Sequence, residues 1–206
     1  MRRCVIIGGA DIERYDVIRT YLRADDFIVC CDSGLRHRAG LGVEADLVIG
    51  DFDSHENPGL PAETIVLPCE KDDTDTMAAA REMVRRGFEE FLLLGVFGGR
   101  LDHGLANVYL LLWLDHNGKK ALAADDYSEM EIVSREPAFI PCRYPFFSLL
   151  AIAGKTDNVT IRNAKYTLEN ASIFPEWQFA VSNEPLPGKT AEVYPGSVPL
   201  LLIRDR

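Results

Sequence analysis

Four short segments hold most of the residues able to do chemistry: Cys31-Asp32-Ser33-Gly34, Gly50-Asp51-Phe52-Asp53-Ser54, Lys71-Asp72-Asp73-Thr74-Asp75 and Gly98-Gly99-Arg100-Leu101-Asp102-His103. Each follows an apolar run that reads as a strand. Each therefore falls where an open α/β sheet collects its ligand, outside the carboxyl ends of its strands. Carboxylates crowded at one sheet edge repel each other. They make sense if a divalent cation and a cationic or metal-bound substrate neutralise them.

Asp51 and Asp53 are the sharpest pair. Two residues apart in extended chain, their side chains leave the same face with roughly 7 Å between α-carbons, close enough to share one hard cation. A solvated turn closed by Asn57-Pro58-Gly59 is the other reading of that pair. In Lys71 to Asp75, Asp and Thr are good helix caps, but a cap needs one such residue and this segment has three carboxylates and a lysine. The surplus suits metal and phosphate contacts at a helix N-terminus. In Gly98 to His103, paired glycines let backbone N–H groups face a phosphate and Arg100 offers a fork of donors. Asp102 suits either a helix cap or a ribose or substrate hydroxyl. His103 reads equally as a substrate contact or as an ordinary first-turn histidine, and Asp32 is similarly open.

The elements that must position these groups follow from periodicity. Cys4 to Ile7, Phe27 to Cys31, Leu47 to Ile49 and Phe91 to Leu94 are continuous apolar runs, as expected of strands buried on both faces of a parallel sheet, with a weaker one at Thr64 to Leu67. Met77, Ala80 and Val84 mark a helix that Gly87 stops after Arg85 and Arg86. Leu101, Leu105, Val108 and Leu112 mark a second helix, apolar on most sides and so expected to be central. After Lys120 the texture changes to short β-type runs (131–133, 146–152, 159–161, 179–181, 191–194 and 200–203) separated by Pro, Gly, Asn and Asp. This pattern predicts a β-sandwich or barrel. The expected fold is thus an N-terminal parallel-sheet α/β domain, residues 1–122, and a C-terminal all-β sandwich-like domain, residues 123–206.

The totals exclude several function classes. A formal charge of -10 over 206 residues argues against nucleic acid, whose binding rests on phosphate neutralisation by Lys and Arg. The five cysteines have no metal-site spacing and an odd count, which suits a reducing compartment and small core residues. The apolar stretch after Arg3 ends at Asp11 and reads as a first strand, and no run is long enough to cross a bilayer. The expectation is a cytoplasmic protein with no membrane contact. Gly154-Lys155-Thr156 and Gly188-Lys189-Thr190 resemble the end of a P-loop, but Leu149 and Asn183 stand where it needs its earlier glycine, so both read as turns. Gly8-Gly9 lacks the remaining glycine spacing of a dinucleotide fingerprint.

Taken in order, the four segments resemble the motifs of the thiamine pyrophosphokinase (thiamine diphosphokinase) family: an Asp-Gly/Ser-Gly turn, Gly-Asp-Phe-Asp-Ser, Lys/Gln-Asp-x-Thr-Asp and Gly-Gly-Arg-x-Asp-His. Lys165-Tyr166 followed by Ser182-Asn183 resembles a later family signature, with Asn163-Ala164 in place of its usual Gly-Leu and Thr167 where Pro is common. The resemblance implies a homodimer with an active site shared between subunits. It implies transfer of the β,γ-pyrophosphate of ATP to the hydroxyethyl group of thiamine, with release of AMP. Asp51, Asp53 and Asp75 would hold Mg2+, and Asp32, Lys71, Asp72, Thr74, Arg100, Asp102 and His103 would surround the nucleotide. Ser182 and Asn183 would help hold thiamine, a cation on which Trp177 or Tyr166 could stack. Catalysis would fall to Asp51, Asp53, Asp75, Arg100 and Asp102. Two other classes compete. A haloacid dehalogenase-type phosphatase also carries Asp-x-Asp after a strand, though on its first strand and with Thr or Val where Ser54 stands. A non-catalytic nucleotide- or thiamine-binding protein would have little use for the full carboxylate set.

Overall fold

The computed structural model describes residues 2–51, 62–68 and 73–206, which divide into two compact units, Met1–Asp126 and Tyr127–Arg206. The first unit alternates strand and helix. Its strands are β1 (Cys4–Ile7), β2 (Phe27–Cys31), β3 (Leu47–Gly50), β4 (Glu63–Val66), β5 (Glu90–Leu94) and β6 (Lys120–Ala124). They pair in parallel in the order β4-β3-β2-β1-β5-β6. Residues of β1, β2, β3 and β5 are buried on both faces, as their unbroken apolar runs require. On one side Val5, Ile7, Ile28, Cys30, Leu92 and Leu94 pack with Ile12, Ile18 and Leu41. Those last two sit on the short helices α1 (Tyr15–Ile18) and α2 (Arg38–Leu41). Each such aliphatic side chain removed from water stabilises the unit by about 1.5–3 kcal/mol before chain entropy is counted.

The longer helices are α3 (Asp75–Arg85) and α4 (Leu101–His116). α3 packs on β1, β2 and β3, and α4 on β6. Gly87 follows α3 at φ +87°, a conformation that glycine adopts without strain. α4 differs from expectation. Leu101 and Leu105 are 76% and 53% exposed, Tyr109 is 57% exposed, and Asn107, Leu110, Leu111 and Leu114 form the buried face. A helix apolar on most sides carries no periodicity to say which face is inward, and the buried one here includes a polar residue.

The second unit is all antiparallel. β7 (Ser128–Val133), β13 (Leu200–Asp205) and β9 (Phe146–Leu150) form one sheet in that order. β11 (Leu168–Ile173), β10 (Thr156–Arg162), β12 (Thr190–Tyr194) and β8 (Ala138–Pro141) form the other. Side chains from both sheets, among them Val133, Phe147, Leu202, Ile140, Val159 and Val193, share a single core. The boundary expected between 122 and 123 falls inside β6, which pairs with β5 and so belongs to the first unit. Asp126 stays with that unit too, accepting hydrogen bonds from the backbone N–H groups of Glu13 and Arg14 at 2.9 and 3.0 Å.

One expected strand is absent: residues 179–181 form a turn. Only Ala180 of the three is buried, so the run covers a core edge without supplying a ladder. Conversely β11 is too polar to read as a strand, and Asn170 within it sits at φ +49° beside irregular register with β10. No helix among the described residues is long and apolar enough to cross a membrane.

Candidate active site

In the first unit the chain runs from β1 outward through β2, β3 and β4, then returns to the other side of β1 with β5. The strand order reverses between β1 and β5, and ligand crevices of open α/β sheets form at such a switch point. A cavity of about 420 Å³ lies there. Its walls come from the segment after β1 (Gly8 to Asp11), the 3-10 turn after β2 (Asp32 to Arg36), the start of α3 (Thr74 to Thr76) and the loop between β5 and α4 (Gly95 to Arg100).

Two backbone features explain why these loops have their sequences. A Cβ on Gly34 would lie 2.2 Å from the carbonyl oxygen of Ile7, so only glycine lets the turn after β2 sit against the end of β1. Gly98 and Gly99 hold φ of +111° and +68°, and a Cβ on Gly99 would meet no atom within 4 Å. Conformation rather than crowding therefore keeps glycine at 99, and the chain leaves open space beside the cavity there.

Of the expected site residues, Asp32, Thr74, Asp75, Arg100 and His103 line this cavity together. Asp32 has φ +41°, a strained position for a non-glycine residue. Its Oδ1 is buried and has no hydrogen-bond partner among the described residues. A buried, unpartnered carboxylate oxygen is costly unless a cation or a donor arrives to meet it. Asp75 opens α3, and the Cys31 thiol donates to its backbone carbonyl at 3.6 Å. Thr74 is the helix cap, its hydroxyl accepting from the Met77 N–H at 3.2 Å, and Asp73 pairs with Arg81 at 2.9 Å. Part of the acidic surplus in that segment is therefore structural.

Arg100 and Asp102, expected to reach the nucleotide separately, face each other. The guanidinium donates to both carboxylate oxygens at 2.6 and 3.2 Å, and Asp102 also accepts from the His103 N–H at 3.0 Å. The Arg100 partner lowers the Asp102 carboxyl to about 2, so both groups are charged at any ordinary assay pH. Asp102 does not line the cavity, and neither does Asp51, which follows β3 and is half-buried. Asp53, Lys71 and Asp72 lie outside the described residues. Among the described residues no group of three or more His, Cys, Asp or Glu side chains stands ready to hold a metal. The donor types present would suit a hard cation: Asp32, whose Oδ1 has no partner among the described residues, and Asp75 line the same cavity.

In the second unit Ser182 adopts φ +57° and is exposed. Asn183 is only 2% exposed. Its Oδ1 accepts from the N–H groups of Tyr166 and Glu184 at 3.0 and 2.9 Å, and its Nδ2 donates to the Tyr166 carbonyl at 2.7 Å. Its side chain thus fixes the backbone beneath the exposed ring of Tyr166. Trp177 is exposed beside Phe174 and Phe179.

The residues that motif reading passed over are Asp11, Arg36, Thr76 and Asn107. Arg36 donates to the Gly9 carbonyl and to Asp11, both at 2.6 Å, and it joins Arg100 as the second cation of the lining. Behind it His37 is buried against Tyr15, its Nδ1 2.7 Å from the phenol oxygen, and burial lowers its pKa so that it stays neutral near pH 7. The signal for Arg36 is a cation two residues beyond a strand-end Asp-Ser-Gly turn. Gly8 and Gly9 line the wall without belonging to a dinucleotide fingerprint. The Cys31 thiol is also in the wall, but burial pushes it well above its ordinary pKa, so it offers no thiolate.

The model of the thiamin pyrophosphokinase catalytic domain matches residues 18–123, half of the chain. The chain belongs to the thiamin pyrophosphokinase family. No curated protein matches it. Solved structures agree in fold. A thiamine pyrophosphokinase from Bacillus subtilis is 21% identical with a TM-score of 0.87, covering 99% of each chain. One from Geobacillus thermodenitrificans is 25% identical with a TM-score of 0.82, over 99% of this chain and 97% of that one. The yeast enzyme is 15% identical with a TM-score of 0.79, over 99% and 86%. The family model runs from the last residue of α1 into β6 and so includes most of the cavity wall, though Gly8 to Asp11 precede it.

Proposed function

We propose that this thiamin pyrophosphokinase family member is a cytoplasmic kinase-class transferase, ATP:thiamine diphosphotransferase. The thiamine hydroxyl oxygen bonds to the β-phosphorus of ATP, the bond between that phosphorus and the α–β bridging oxygen breaks, and AMP leaves. The hydroxyl proton passes to a carboxylate of the acidic set. The observation that carries this reading is the cavity at the β1/β5 switch point, walled in part by residues of three of the family motifs and holding two arginines and a carboxylate oxygen without a partner among the described residues. Phosphoryl transfers of this kind ask the protein mainly for positioning and charge neutralisation. Gly98 and Gly99 leave room for a polyphosphate beside the backbone, and Arg36 and Arg100 supply planar donors for its oxygens. Asp51, Asp53 and Asp75 would hold Mg2+, with Asp32 close behind or at the nucleotide. Bound there, the ion supplies neutralisation of the phosphate charge. Thiamine, a cation, suits an acidic cleft, with Ser182 and a ring such as Tyr166 or Trp177 as its contacts. Incubation with ATP and thiamine tests the reading against its rivals: AMP with thiamine diphosphate supports it, while phosphate release from monophosphates or binding without turnover contradicts it.

A homodimer with an active site shared between subunits extends the proposal. It is supported by the division of residues: the phosphate and metal set belongs to the first unit and Ser182 to the second. Mixing inactive Asp75→Asn protein with inactive Ser182→Trp protein is expected to restore about a quarter of wild-type activity. Random assortment puts half the subunits in mixed dimers, each with one intact site of two. No recovery after confirmed subunit exchange would mean that each site is built within one chain.

A further inference from the structure

Where α3 and α4 meet the cavity, a chain of hydrogen bonds runs in a direction fixed by its last member. Asn107, in the second turn of α4, is 5% exposed, and its Nδ2 donates to the Val96 carbonyl at 2.8 Å. A carbonyl only accepts, so the amide nitrogen must face it and Oδ1 must face the other way. There Oδ1 accepts from the Thr76 hydroxyl at 2.8 Å. That commits the one proton Thr76 has. At the 3.1 Å contact between the two threonine hydroxyls, Thr74 must therefore be the donor. Thr74 in turn accepts from the Met77 N–H as the cap of α3. The direction is Met77 to Thr74 to Thr76 to Asn107 to Val96.

Both threonines line the cavity, and neither hydroxyl has a proton left for a ligand. Each keeps one oxygen lone pair. Their side chains make this wall an acceptor surface, unsuited to phosphate oxygens, which bring only lone pairs of their own. Groups that donate fit it, and waters on a divalent cation are such donors, with the Asp75 carboxylate between the two threonines in sequence. We propose that Asn107 is a positioning residue that holds the Thr74 and Thr76 hydroxyls as acceptors for the water shell of a divalent cation rather than as donors to phosphate. The proposal rests on the function proposed above. It gives Thr74 a different part from the phosphate contact that the family resemblance implies.

The test is equilibrium binding of ATP by the whole protein, measured with EDTA and with Mg2+. Thr76→Val keeps the shape and removes the acceptor for the Thr74 proton, which can then turn into the cavity and meet a phosphate. The ratio of metal-free to magnesium-loaded affinity is expected to rise about 10-fold, the worth of a hydrogen bond to a charged group. Asn107→Leu should raise it similarly. Thr76→Ser keeps the hydroxyl and its bond to Asn107 and should leave the ratio near that of wild type. Equal weakening of both forms by Thr76→Val, or selective loss of metal-free binding, overturns the proposal. Slow hydrogen exchange of the Asn107 side-chain amide without ligand provides a second measurement. Fast exchange there refutes the bond chain itself. Wild-type protein that binds no ATP refutes the function reading, and the exchange rate still decides the bond chain.

Discussion

Replacing Asp75 by Asn is expected to cut thiamine diphosphate formation by at least about 100-fold while leaving the apo protein as stable as before or slightly more so. Asn keeps the shape of Asp75 and the backbone carbonyl that the Cys31 thiol contacts, and the cap of α3 is Thr74, which is untouched. What it removes is a negative charge facing the same cavity as Asp32. A metal-centred charge effect is worth several kcal/mol, and each 1.36 kcal/mol is tenfold in rate. Two small stability effects oppose each other. An acid in the first turn of a helix contributes about 0.3–1 kcal/mol, and relief of repulsion between carboxylates offsets it. Thermal melts of the metal-free protein check the second half. A melting point lowered by more than about 5 °C would return this segment to a purely structural part, since that corresponds to roughly 2 kcal/mol in a chain of this size.

Asn183→Leu is expected to act in the opposite sense, through stability. Its side chain makes three hydrogen bonds to the backbone of Tyr166 and Glu184 from a buried position. Removing it leaves two N–H groups and a carbonyl without their partner, at about 1–3 kcal/mol for each that stays buried. A loss of about 3 kcal/mol would lower the melting point by roughly 6–12 °C for a chain of this length. Ser182→Ala next to it should leave the melting point almost unchanged, because Ser182 is exposed and its bond to Ser148 is made by its backbone N–H. If Asn183→Leu melts like wild type and only the KM for thiamine rises, Asn183 is a ligand contact after all.

The parts legible in the sequence were those with local causes. β1, β2, β3 and β5 are unbroken apolar runs because parallel strands are buried on both faces, and Gly87 ends α3 through its positive φ. The motif order carried the family and put Asp32, Thr74, Asp75, Arg100 and His103 at one cavity. What was not legible depends on partners distant in the chain. The inward face of α4 is chosen by packing on β6 and α3, not by its own pattern. Residues 179–181 look like a strand by composition but lack a continuous ladder. Arg100 and Asp102 read as two independent contacts until their mutual pairing is seen. Asn107 reads as one more helix residue, and its meaning depends on a carbonyl eleven residues earlier and a hydroxyl on another helix.

The proposed reaction is tested most directly by the product balance with ATP labelled in its γ-phosphate and thiamine as acceptor. AMP and thiamine diphosphate are expected to form one for one, with the label in the terminal phosphate of the product and none in free phosphate. ADP accumulating in step with labelled thiamine monophosphate would contradict it.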